Sequence, residues 1–542
     1  MRKNNWKIQF DTLGLTPNEM IDKLFIKRGI TNSYEFLNPT SKYIYPSDCF
    51  DNIESAGNTL LEVINNEGNI LIYADVDTDG CCAAAIVKHY LCKIYNKDKI
   101  FVYINHGKTH GVTQEFLSTE FYNFNPQLII VVDSINDTLN EYSEILTNNC
   151  QLIILDHHIP KSEICNDSKT LNLVSSALNY PNPHLSGSGV AWKFVSYVDT
   201  ILGENFAPEF MDLAAVGIIG DVCDIGIDSL ENRAICNLGF DQIMNTGLRA
   251  ILGKDQIIAT DVSFSIAPLI NAANRVDKNL DALNLLLTDD FNQAKKLVTS
   301  LKKSREYQKT QVAKLLPELE EQIIDQLDNP CYFFIMDNGP KELSGLFATK
   351  LCAKYNRPCM VLHSGEETYT GSMRAKGIDN FSAIINDSNL GECLGHENSA
   401  GIIIPKDNLD SLKTYLNIYF DGFEFDDSTS IDFKLYRSQL TPFLLKKFAE
   451  VNRISGAGFP SIRVLLEDLQ YYEIKSLKDG KHLSLELPDL KLVYWNFDHW
   501  DDVIQDAFVS TIGTLEMNTF RGKAQPQILI EDYIFQIKEK LW

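Results

Sequence analysis

The residues of this 542-residue sequence that are best suited to chemistry are acids standing directly after apolar runs. These acids are Asp75, Asp77 and Asp79 after ILIYA, Asp133 after LIIVV, Asp156 after LIIL, and Asp221 after AVGIIG. Two histidines, His157 and His158, follow Asp156. Carboxylates mixed with imidazoles suit Mn²⁺ or Mg²⁺, and a pair of such ions supports hydrolysis of a phosphoester. The pattern therefore favours metal-dependent phosphoester hydrolysis.

Two other interpretations of the stretch DVDTDG at 75–80 have to be weighed. An EF-hand calcium loop requires a glutamate at its twelfth position, which is Ile86 here, and a helix before it, whereas the preceding run is strand-like. An Asp-rich turn after a strand is a common structural feature and would explain one such motif. It does not explain four acid-terminated runs together with a histidine pair.

The spacing of the apolar runs indicates how these acids are brought together. From about residue 60 to 225, the runs NILIYAD, KIFVYIN, LIIVVD, LIILD and AVGIIGD alternate with helical patterns, which predicts a doubly wound parallel sheet in an α/β fold. The carboxyl ends of parallel strands share one edge, where ligands bind. Residues 228–326 read mainly as helix, residues 331–415 as a second α/β unit, and residues 430–542 as a small β-barrel.

Composition limits the function classes. The chain is long enough for two to four domains, its net charge is −24 and its pI is about 4.8, so it does not have the charge of a protein that coats nucleic acid. One basic stretch, Lys295–Lys314, holds seven Lys or Arg residues against the single acid Glu306. The sequence has no CxxC pair, no secretory signal pattern and no apolar run long enough to span a bilayer. These features predict a cytoplasmic protein with reduced thiols and no membrane association.

Several motifs resemble those of the DHH phosphoesterase superfamily. LDHHIP carries the Asp-His-His signature, YADVDTDG resembles the first motif, VVDS the second and GIIGDVCD the fourth. The whole chain is similar to the RecJ branch of single-strand-specific DNA exonucleases. This resemblance implies a catalytic domain at residues 1–290, a connecting helix at 291–328, a DHH-associated substrate-binding domain at 329–418 and an oligonucleotide-binding (OB) barrel at 430–542.

The resemblance also implies roles for individual residues. The direct ligands of two Mn²⁺ or Mg²⁺ ions would be Asp77, Asp79, Asp133, His157 and Asp221, with Asp75 either a ligand or a carboxylate behind them. Catalytic roles would fall to Asp79, to Asp133 as a bridge between the ions, and to His158, which faces the phosphate. The residues that contact the nucleic acid would be Arg275, Ser372, Arg374, Gly395 and His396, with Gly401 allowing close backbone approach. A narrow basic channel is expected from Arg275, the Lys295–Lys314 stretch and Arg374.

Some positions depart from the family pattern or stay open. Tyr73 stands where several relatives have histidine, Thr78 where many have alanine, and Leu394 where many have glycine. The loop NHGKTHGVTQEF lacks the expected tyrosine–glycine pair, which leaves substrate contacts near His106 and His110 unassigned. In the barrel, Tyr494 and Trp495, or Phe520 with Arg521, are candidates for base stacking, with packing in the core or at its rim as the alternative.

The function implied by the resemblance is hydrolysis of single-stranded DNA in the 5′-to-3′ direction with release of mononucleotides, in DNA repair and recombination. The expected partners are single-stranded DNA and a single-strand-binding protein, and the expected state is a monomer. One alternative is an oligoribonucleotide or cyclic-dinucleotide phosphodiesterase, against which the barrel argues. Another is an inactive scaffold, against which the complete set of acids argues.

Overall fold

The computed structural model describes residues 5–105, 110–136, 142–159, 170–471, 473–477, 480–487, 490–497, 499–504, 507–520 and 523–536. The strands are β1 (Trp6–Asp11), β2 (Ile70–Ala74), β3 (Ile100–Ile104), β4 (Leu128–Val132), β5 (Gln151–Asp156), β6 (Leu171–Ser175), β7 (Tyr332–Ile335), β8 (Cys359–Ser364), β9 (Thr368–Arg374), β10 (Glu392–His396), β11 (Ser399–Pro405), β12 (Thr429–Leu435), β13 (Arg463–Gln470), β14 (Glu473–Leu477), β15 (His482–Glu486), β16 (Lys491–Trp495), β17 (Phe508–Phe520) and β18 (Lys523–Gln536).

The helices are α1 (Pro17–Lys27), α2 (Ser33–Leu37), α3 (Ile53–Asn65), α4 (Thr78–Ile94), α5 (Gln114–Ser118), α6 (Glu120–Phe124), α7 (Ser143–Thr147), α8 (Gly187–Leu202), α9 (Met211–Gly220), α10 (Leu230–Gly239), α11 (Thr246–Leu252), α12 (Ala259–Asp261), α13 (Ala267–Asn274), α14 (Asn279–Leu287), α15 (Phe291–Glu321), α16 (Ser344–Tyr355), α17 (Phe381–Asp387), α18 (Leu409–Tyr419) and α19 (Pro442–Asn452). In the described part of the chain, no helix is both long enough and apolar enough to cross a membrane.

The first sheet has five parallel strands in the order β3-β2-β4-β5-β6. Successive residues of β2 enter two different cores: Ile70 and Ile72 pack with α3, α4 and α8, whereas Leu71 and Tyr73 pack with α5 to α7. Because both faces of the sheet are covered by helices, its strands are apolar along their whole length. The predicted doubly wound parallel sheet is confirmed.

One of the predicted strands is wrong. The run AVGIIG belongs to helix α9, and the fifth strand of the sheet is β6, whose sequence LNLVS was not predicted. A short run that is apolar throughout fits a buried helix as well as a buried strand, and its periodicity does not separate the two. Here α9 packs against α4, α8 and α10 and is buried on all sides, so Asp221 follows the end of a helix and not of a strand.

The long helix α15 follows a group of shorter helices, in agreement with the predicted helical region. Its buried positions, such as Ala294, Val298 and Leu301, recur every three or four residues, which places the lysines between them on the solvent side. Asp290 caps the helix by accepting a hydrogen bond from the backbone N–H of Asn292 (2.8 Å).

The second sheet has the order β10-β11-β9-β8-β7. Strands β7 and β8 are parallel, and the other pairs are antiparallel. Helices α17 and α18 cover one face, and α16 and the end of α15 cover the other. This unit presents Ser372 and Arg374 at the end of β9.

The C-terminal sheet has eight strands in the order β1-β12-β13-β17-β18-β16-β15-β14. Its first strand comes from the N-terminus: β1 runs parallel to β12, with Trp6 opposite Thr429. Leu24 of α1 packs in the same core as Phe433 and Phe448. The structure therefore differs from a single catalytic unit at residues 1–290, because residues 6–37 build the C-terminal core. Sequence spacing gives no signal for a pairing of strands this distant in the chain.

Arg233 joins these parts of the molecule. It is 1% exposed, and its guanidinium donates hydrogen bonds to the carbonyl oxygens of Phe36 (2.6 Å), Ile225 (3.2 Å) and Ile454 (3.0 Å). The guanidinium carbon lies 3.8 Å from the ring centroid of Phe36. A single buried cation thus connects the N-terminal segment, the catalytic half and the C-terminal domain.

A buried ion pair stabilises the catalytic half. Lys193 Nζ lies 2.7 Å from Glu231 Oε1, and their side chains are only 1% and 0% exposed. The carboxylate also accepts hydrogen bonds from Tyr180 Oη (2.8 Å) and Asn182 Nδ2 (3.1 Å). We expect Glu231→Gln to cost about 3–5 kcal/mol of unfolding free energy, because it leaves the buried ammonium without a counter-charge.

Chemical denaturation followed by circular dichroism measures this loss. The matched control is Glu306→Gln, which removes the carboxylate from an exposed pair with Lys309 (2.8 Å) and is expected to cost less than about 1 kcal/mol. Equal losses from the two substitutions would contradict the prediction.

Candidate metal centre

The first group of acids lies between β2 and α4. Asp77 is the N-cap of α4, and its carboxylate accepts a hydrogen bond from the backbone N–H of Gly80 (3.0 Å). Asp79 lies in the first turn and is fully buried; its Oδ1 accepts from Ser186 Oγ (2.9 Å) and from the backbone N–H of Ser188 (3.1 Å). Its other oxygen, Oδ2, is buried with no hydrogen-bond partner among the described residues. The strand and the helix start thus fix both carboxylates.

Asp133 occupies the end of the neighbouring strand β4. Its backbone has a positive φ of 54°, and its N–H donates to the carbonyl oxygen of Leu155 (2.9 Å). The start of α8 approaches the carboxylate so closely that a Cβ on Gly187 would lie 2.6 Å from Asp133 Oδ1. Only glycine leaves room for the carboxylate at this point.

Asp156 and His158 form a fixed pair at the end of β5. Asp156 Oδ1 accepts hydrogen bonds from the backbone N–H groups of His157 (2.6 Å) and His158 (2.8 Å) and lies 2.7 Å from His158 Nδ1, while Oδ2 accepts from the N–H of Ile135 (2.6 Å). Burial opposes charge on both groups, but their mutual attraction outweighs it. The pKa of Asp156 therefore lies below its ordinary value, and the pKa of His158 is raised to about 9. Asp156 thus orients His158, and both of its oxygens already accept hydrogen bonds.

His157 connects the sheet edge to the end of α9. Its Nε2 lies 3.2 Å from Asp133 Oδ1 and 3.6 Å from Asp221 Oδ2. Among the described residues, neither His157 Nε2 nor Asp133 Oδ1 has a hydrogen-bond partner, although both atoms are buried. Buried polar atoms without hydrogen-bond partners are rare, and these two atoms lie only 3.2 Å apart.

The electrostatics of the cluster fit a bound cation. Burial, together with the carboxylates of Asp75 and Asp221, raises the pKa of Asp77 well above its ordinary value. Burial and the carboxylates of Asp79 and Asp77 do the same for Asp133. Carboxylates held this close must take up protons or bind cations. The donor set of oxygens and imidazole nitrogens suits Mn²⁺ or Mg²⁺.

The structure brings the predicted ligands together in overlapping groups. Within each group, one donor atom per residue lies within 4.8 Å of the others: Asp75, Asp77 and Asp133; Asp133, Asp156, His157 and His158; His157, Asp221 and Cys223. Asp75, whose role the sequence left open, lies in the first of these groups. Asp79 is in none of the three groups.

Two residues near the site were not assigned from the sequence. His110 Nδ1 lies 3.5 Å from Asp75 Oδ1, and the His110 ring packs edge-on against His158, with centroids 4.8 Å apart. The sequence signal for His110 was its position in the loop after a predicted parallel strand, because such loops lie at the ligand-binding edge of the sheet. Cys223, whose Sγ donates to Asp221 Oδ2 (3.4 Å), stands two residues after the run predicted as a strand, where nothing in the sequence indicated that the chain turns back to Asp221. His106 lies outside the described residues.

Two partly buried arginines, Arg275 and Arg374, lie near each other. Arg275 ends α13, and its Nε is buried with no hydrogen-bond partner among the described residues. Burial and the charge of Arg275 lower the pKa of Arg374 to about 10. Gly345 of α16 lies beside Arg374 and Ser372, since its Cβ would lie 2.9 Å from Arg374 Nη2 and 3.5 Å from Ser372 Oγ. Within the residues that the structure describes, neither guanidinium has an ion pair with a carboxylate. The pair is suited to an anion such as a phosphate.

The structure describes the remaining predicted substrate contacts to different extents. Gly395 in β10 has a positive φ of 127°, and its Cβ would lie 3.3 Å from Ala400 Cα, which explains the glycine there. Gly401 of β11 pairs with Ser372. The side chain of His396 lies outside the described residues. The roles of these residues as substrate contacts stay predictions.

The basic stretch and the aromatic candidates also stay predictions. Lys302 and Lys303 are exposed on α15, as expected for residues that line a channel and equally for a solvated face. Tyr494 packs against Phe497 in the C-terminal core, whereas Trp495 is 46% exposed. The side chain of Phe520 and all of Arg521 lie outside the described residues.

Two family models match separate parts of the chain. The model of the DHH family, N-terminal domain, matches residues 69–218, and the model of the RecJ OB domain matches residues 431–532. The chain is 25% identical over 569 residues to the single-stranded-DNA-specific exonuclease RecJ of Bacillus subtilis, covering 98% of this chain and 71% of that protein. It is also 25% identical over 492 residues to the RecJ of Thermus thermophilus, covering 87% of this chain and 69% of that protein.

Solved structures agree with the fold. The crystal structure of RecJ in complex with Mn²⁺ from Thermus thermophilus matches with a TM-score of 0.78 at 24% identity, covering 100% of this chain and 81% of that one. A crystal structure of exonuclease RecJ bound to manganese matches with a TM-score of 0.56 at 26% identity, covering 69% of this chain and 96% of that one. The arrangement of the three units therefore has known counterparts.

Proposed function

Because this chain is a RecJ-like protein of the DHH family, we propose that it is a metal-dependent exonuclease that hydrolyses single-stranded DNA. The observation that carries the proposal is the acid and histidine cluster at the sheet edge, in which buried Asp133 Oδ1 and His157 Nε2 lie 3.2 Å apart and neither has a hydrogen-bond partner among the described residues. The similarity to proteins described as single-stranded-DNA-specific exonucleases supports the choice of substrate.

The proposed metal ligands are Asp75, Asp77, Asp79, Asp133, His157 and Asp221. Two divalent cations held there would activate water and stabilise charge on the phosphate during in-line displacement. Asp133 lies close enough to both Asp77 and His157 to serve both ions. Asp79 has one oxygen fixed by two serines and the other buried without a partner among the described residues, which suits a ligand held in a single orientation.

The proposed role of His158 is to hold the phosphate that reacts. Asp156 fixes its Nδ1 and thereby the orientation of the ring, whose Nε2 is proposed to contact a substrate oxygen. Its raised pKa favours the protonated ring, which donates a hydrogen bond where negative charge develops. Arg275, Arg374 and Ser372, with Gly395 and His396 beside them, are proposed to hold phosphates of the strand across the cleft.

The finer properties of the activity are also proposals. They are 5′-to-3′ direction, release of mononucleotides, cytoplasmic action in DNA repair and recombination, a monomeric state, and cooperation with a single-strand-binding protein. The OB domain supports binding of a longer single strand, since such domains combine a charged groove with base stacking. This favours the exonuclease over the dinucleotide phosphodiesterase.

The test is an assay with single strands labelled at the 5′ or the 3′ end. With Mn²⁺, labelled mononucleotide is expected to appear at once from the 5′-labelled strand, whereas the 3′-labelled strand shortens progressively. Long strands are expected to react faster than dinucleotides. Preference for dinucleotides would favour the alternative phosphodiesterase, and metal-independent binding without cleavage would favour an inactive scaffold.

A further inference from the structure

The turn after α9 places a thiol at the metal centre. Val222 N–H donates to the carbonyl oxygen of Ile219 (3.2 Å) and Cys223 N–H to that of Ile218 (3.0 Å), which is the pair of hydrogen bonds of a Schellman motif. The residue in the left-handed position, with φ 60°, is Val222, where glycine is usual. A β-branched residue is strained in that conformation, so the surrounding contacts hold the turn in place. The turn brings Cys223 back over Asp221.

The donor atoms around this turn have the separations of a single metal site. Cys223 Sγ lies 3.4 Å from Asp221 Oδ2, and that oxygen lies 3.6 Å from His157 Nε2. All three atoms lie within 4.8 Å of one another. With bonds of about 2.0–2.3 Å, the ligands of a tetrahedral ion lie about 3.5 Å apart. The three side chains can therefore bind one cation after small movements.

The buried atoms beside His157, which also support the metal centre itself, point to a cation at this place. The side chain of Asp133 is 3% exposed, and its Oδ1, 3.2 Å from His157 Nε2, is buried with no hydrogen-bond partner among the described residues. His157 Nε2 is in the same situation.

We propose that His157, Asp221 and Cys223 form a site for a thiophilic divalent cation, Zn²⁺ or Co²⁺, which competes with Mn²⁺ or Mg²⁺ for the metal centre. Thiolate ligands select Zn²⁺, whereas Mn²⁺ and Mg²⁺ prefer oxygen donors. Cys223 therefore raises the affinity of the site for Zn²⁺ without contributing to the binding of Mn²⁺ or Mg²⁺. On binding, Sγ forms a bond to the cation and its proton passes to the solvent. That such binding inhibits hydrolysis rests on the proposed function, but the binding itself does not.

Cobalt absorption tests the site without any measurement of activity. The metal-free, full-length protein is titrated with Co²⁺ under reducing conditions without thiols, and the thiolate-to-cobalt charge-transfer band in the near ultraviolet is recorded. The band is expected to saturate at one Co²⁺ per chain and to disappear when an equivalent of Zn²⁺ is added. It is expected to be absent in Cys223→Val and in Cys223→Ser, and to be retained in Cys92→Ser, which removes an exposed cysteine on α4.

A band that persists in both Cys223 variants, or its absence from the wild-type protein, overturns the proposal. Folding of the variants is checked by the Mn²⁺-induced rise in Tm, which is expected to equal that of the wild-type protein because Cys223 is not among the proposed ligands of that ion. The Zn²⁺-induced rise is expected to be smaller in the variants, with at least a tenfold weaker Zn²⁺ affinity. If the protein shows the band but cleaves no DNA, the thiophilic metal site is supported and only the proposed nuclease activity is refuted.

Discussion

Asp133→Asn is expected to lower kcat/KM for a labelled single strand by about 1,000-fold or more. The substitution keeps the shape of the side chain but removes the charge of the carboxylate that lies against both Asp77 and His157. Loss of a ligand shared by two ions removes several kcal/mol of transition-state stabilisation, and about 4 kcal/mol corresponds to this factor. End-labelled oligonucleotides with Mn²⁺ in excess provide the measurement.

The same variant tests whether Asp133 acts as a metal ligand or only stabilises the fold. In the wild-type protein, burial and neighbouring carboxylates oppose ionisation of Asp133, so Asp133→Asn is expected to leave the Tm in a chelator unchanged or higher. The Mn²⁺-induced rise in Tm is expected to shrink, because ligand binding stabilises the fold by RT ln(1 + [L]/Kd), about 2.7 kcal/mol at 100 Kd.

Asp325→Asn, at an exposed position after α15, is the matched control and is expected to change neither quantity. Full activity of Asp133→Asn would refute the role of this carboxylate. A large loss of Tm in the chelator would show that Asp133 acts through folding and not through metal binding.

Arg374→Gln is expected to lower kcat/KM for single-stranded DNA by about 10- to 100-fold. Arg374 and Arg275 are partly buried near each other, and neither has a carboxylate partner among the described residues, so a bound phosphate would neutralise their charge. A hydrogen bond to a charged group contributes about 1.5–3 kcal/mol, which corresponds to this range. The loss should fall mainly on KM if the contacted phosphate is away from the reacting one.

The salt dependence of binding gives a second measurement. Each lost phosphate contact reduces the slope of log K against log[salt] by about 0.7 for a single strand. Lys413→Gln, at a partly exposed position of α18, is the control and is expected to leave the slope unchanged, whereas a decrease after neutralising Lys302 and Lys303 would place α15 in the channel. Removal of one of two like charges is expected to leave the Tm of Arg374→Gln unchanged or higher. An unchanged slope with a large loss of Tm would refute phosphate binding by Arg374.

The predicted fold followed from features that are local in sequence. Short apolar runs separated by helical patterns indicate buried parallel strands, and the acids after them must then lie at one edge. This was sufficient to predict that Asp75, Asp77, Asp133 and His157 lie close together, as they do. The run before Asp221 failed as a strand because a buried helix and a buried strand have the same uniformly apolar sequence.

The amino-acid sequence by itself thus determined the α/β class, the sheet edge and the chemical type of its site, because hydrophobic periodicity and residue type act over a few residues. Only the tertiary structure decided which carboxylate oxygens are occupied: Asp156 is taken up by His158 and backbone N–H groups, and Asp79 is half occupied by two serines. It also decided that β1 completes the C-terminal sheet and that Cys223 returns to the metal centre. These outcomes depend on contacts between distant segments and on strained backbone at single residues, for which the linear sequence carries no periodic signal.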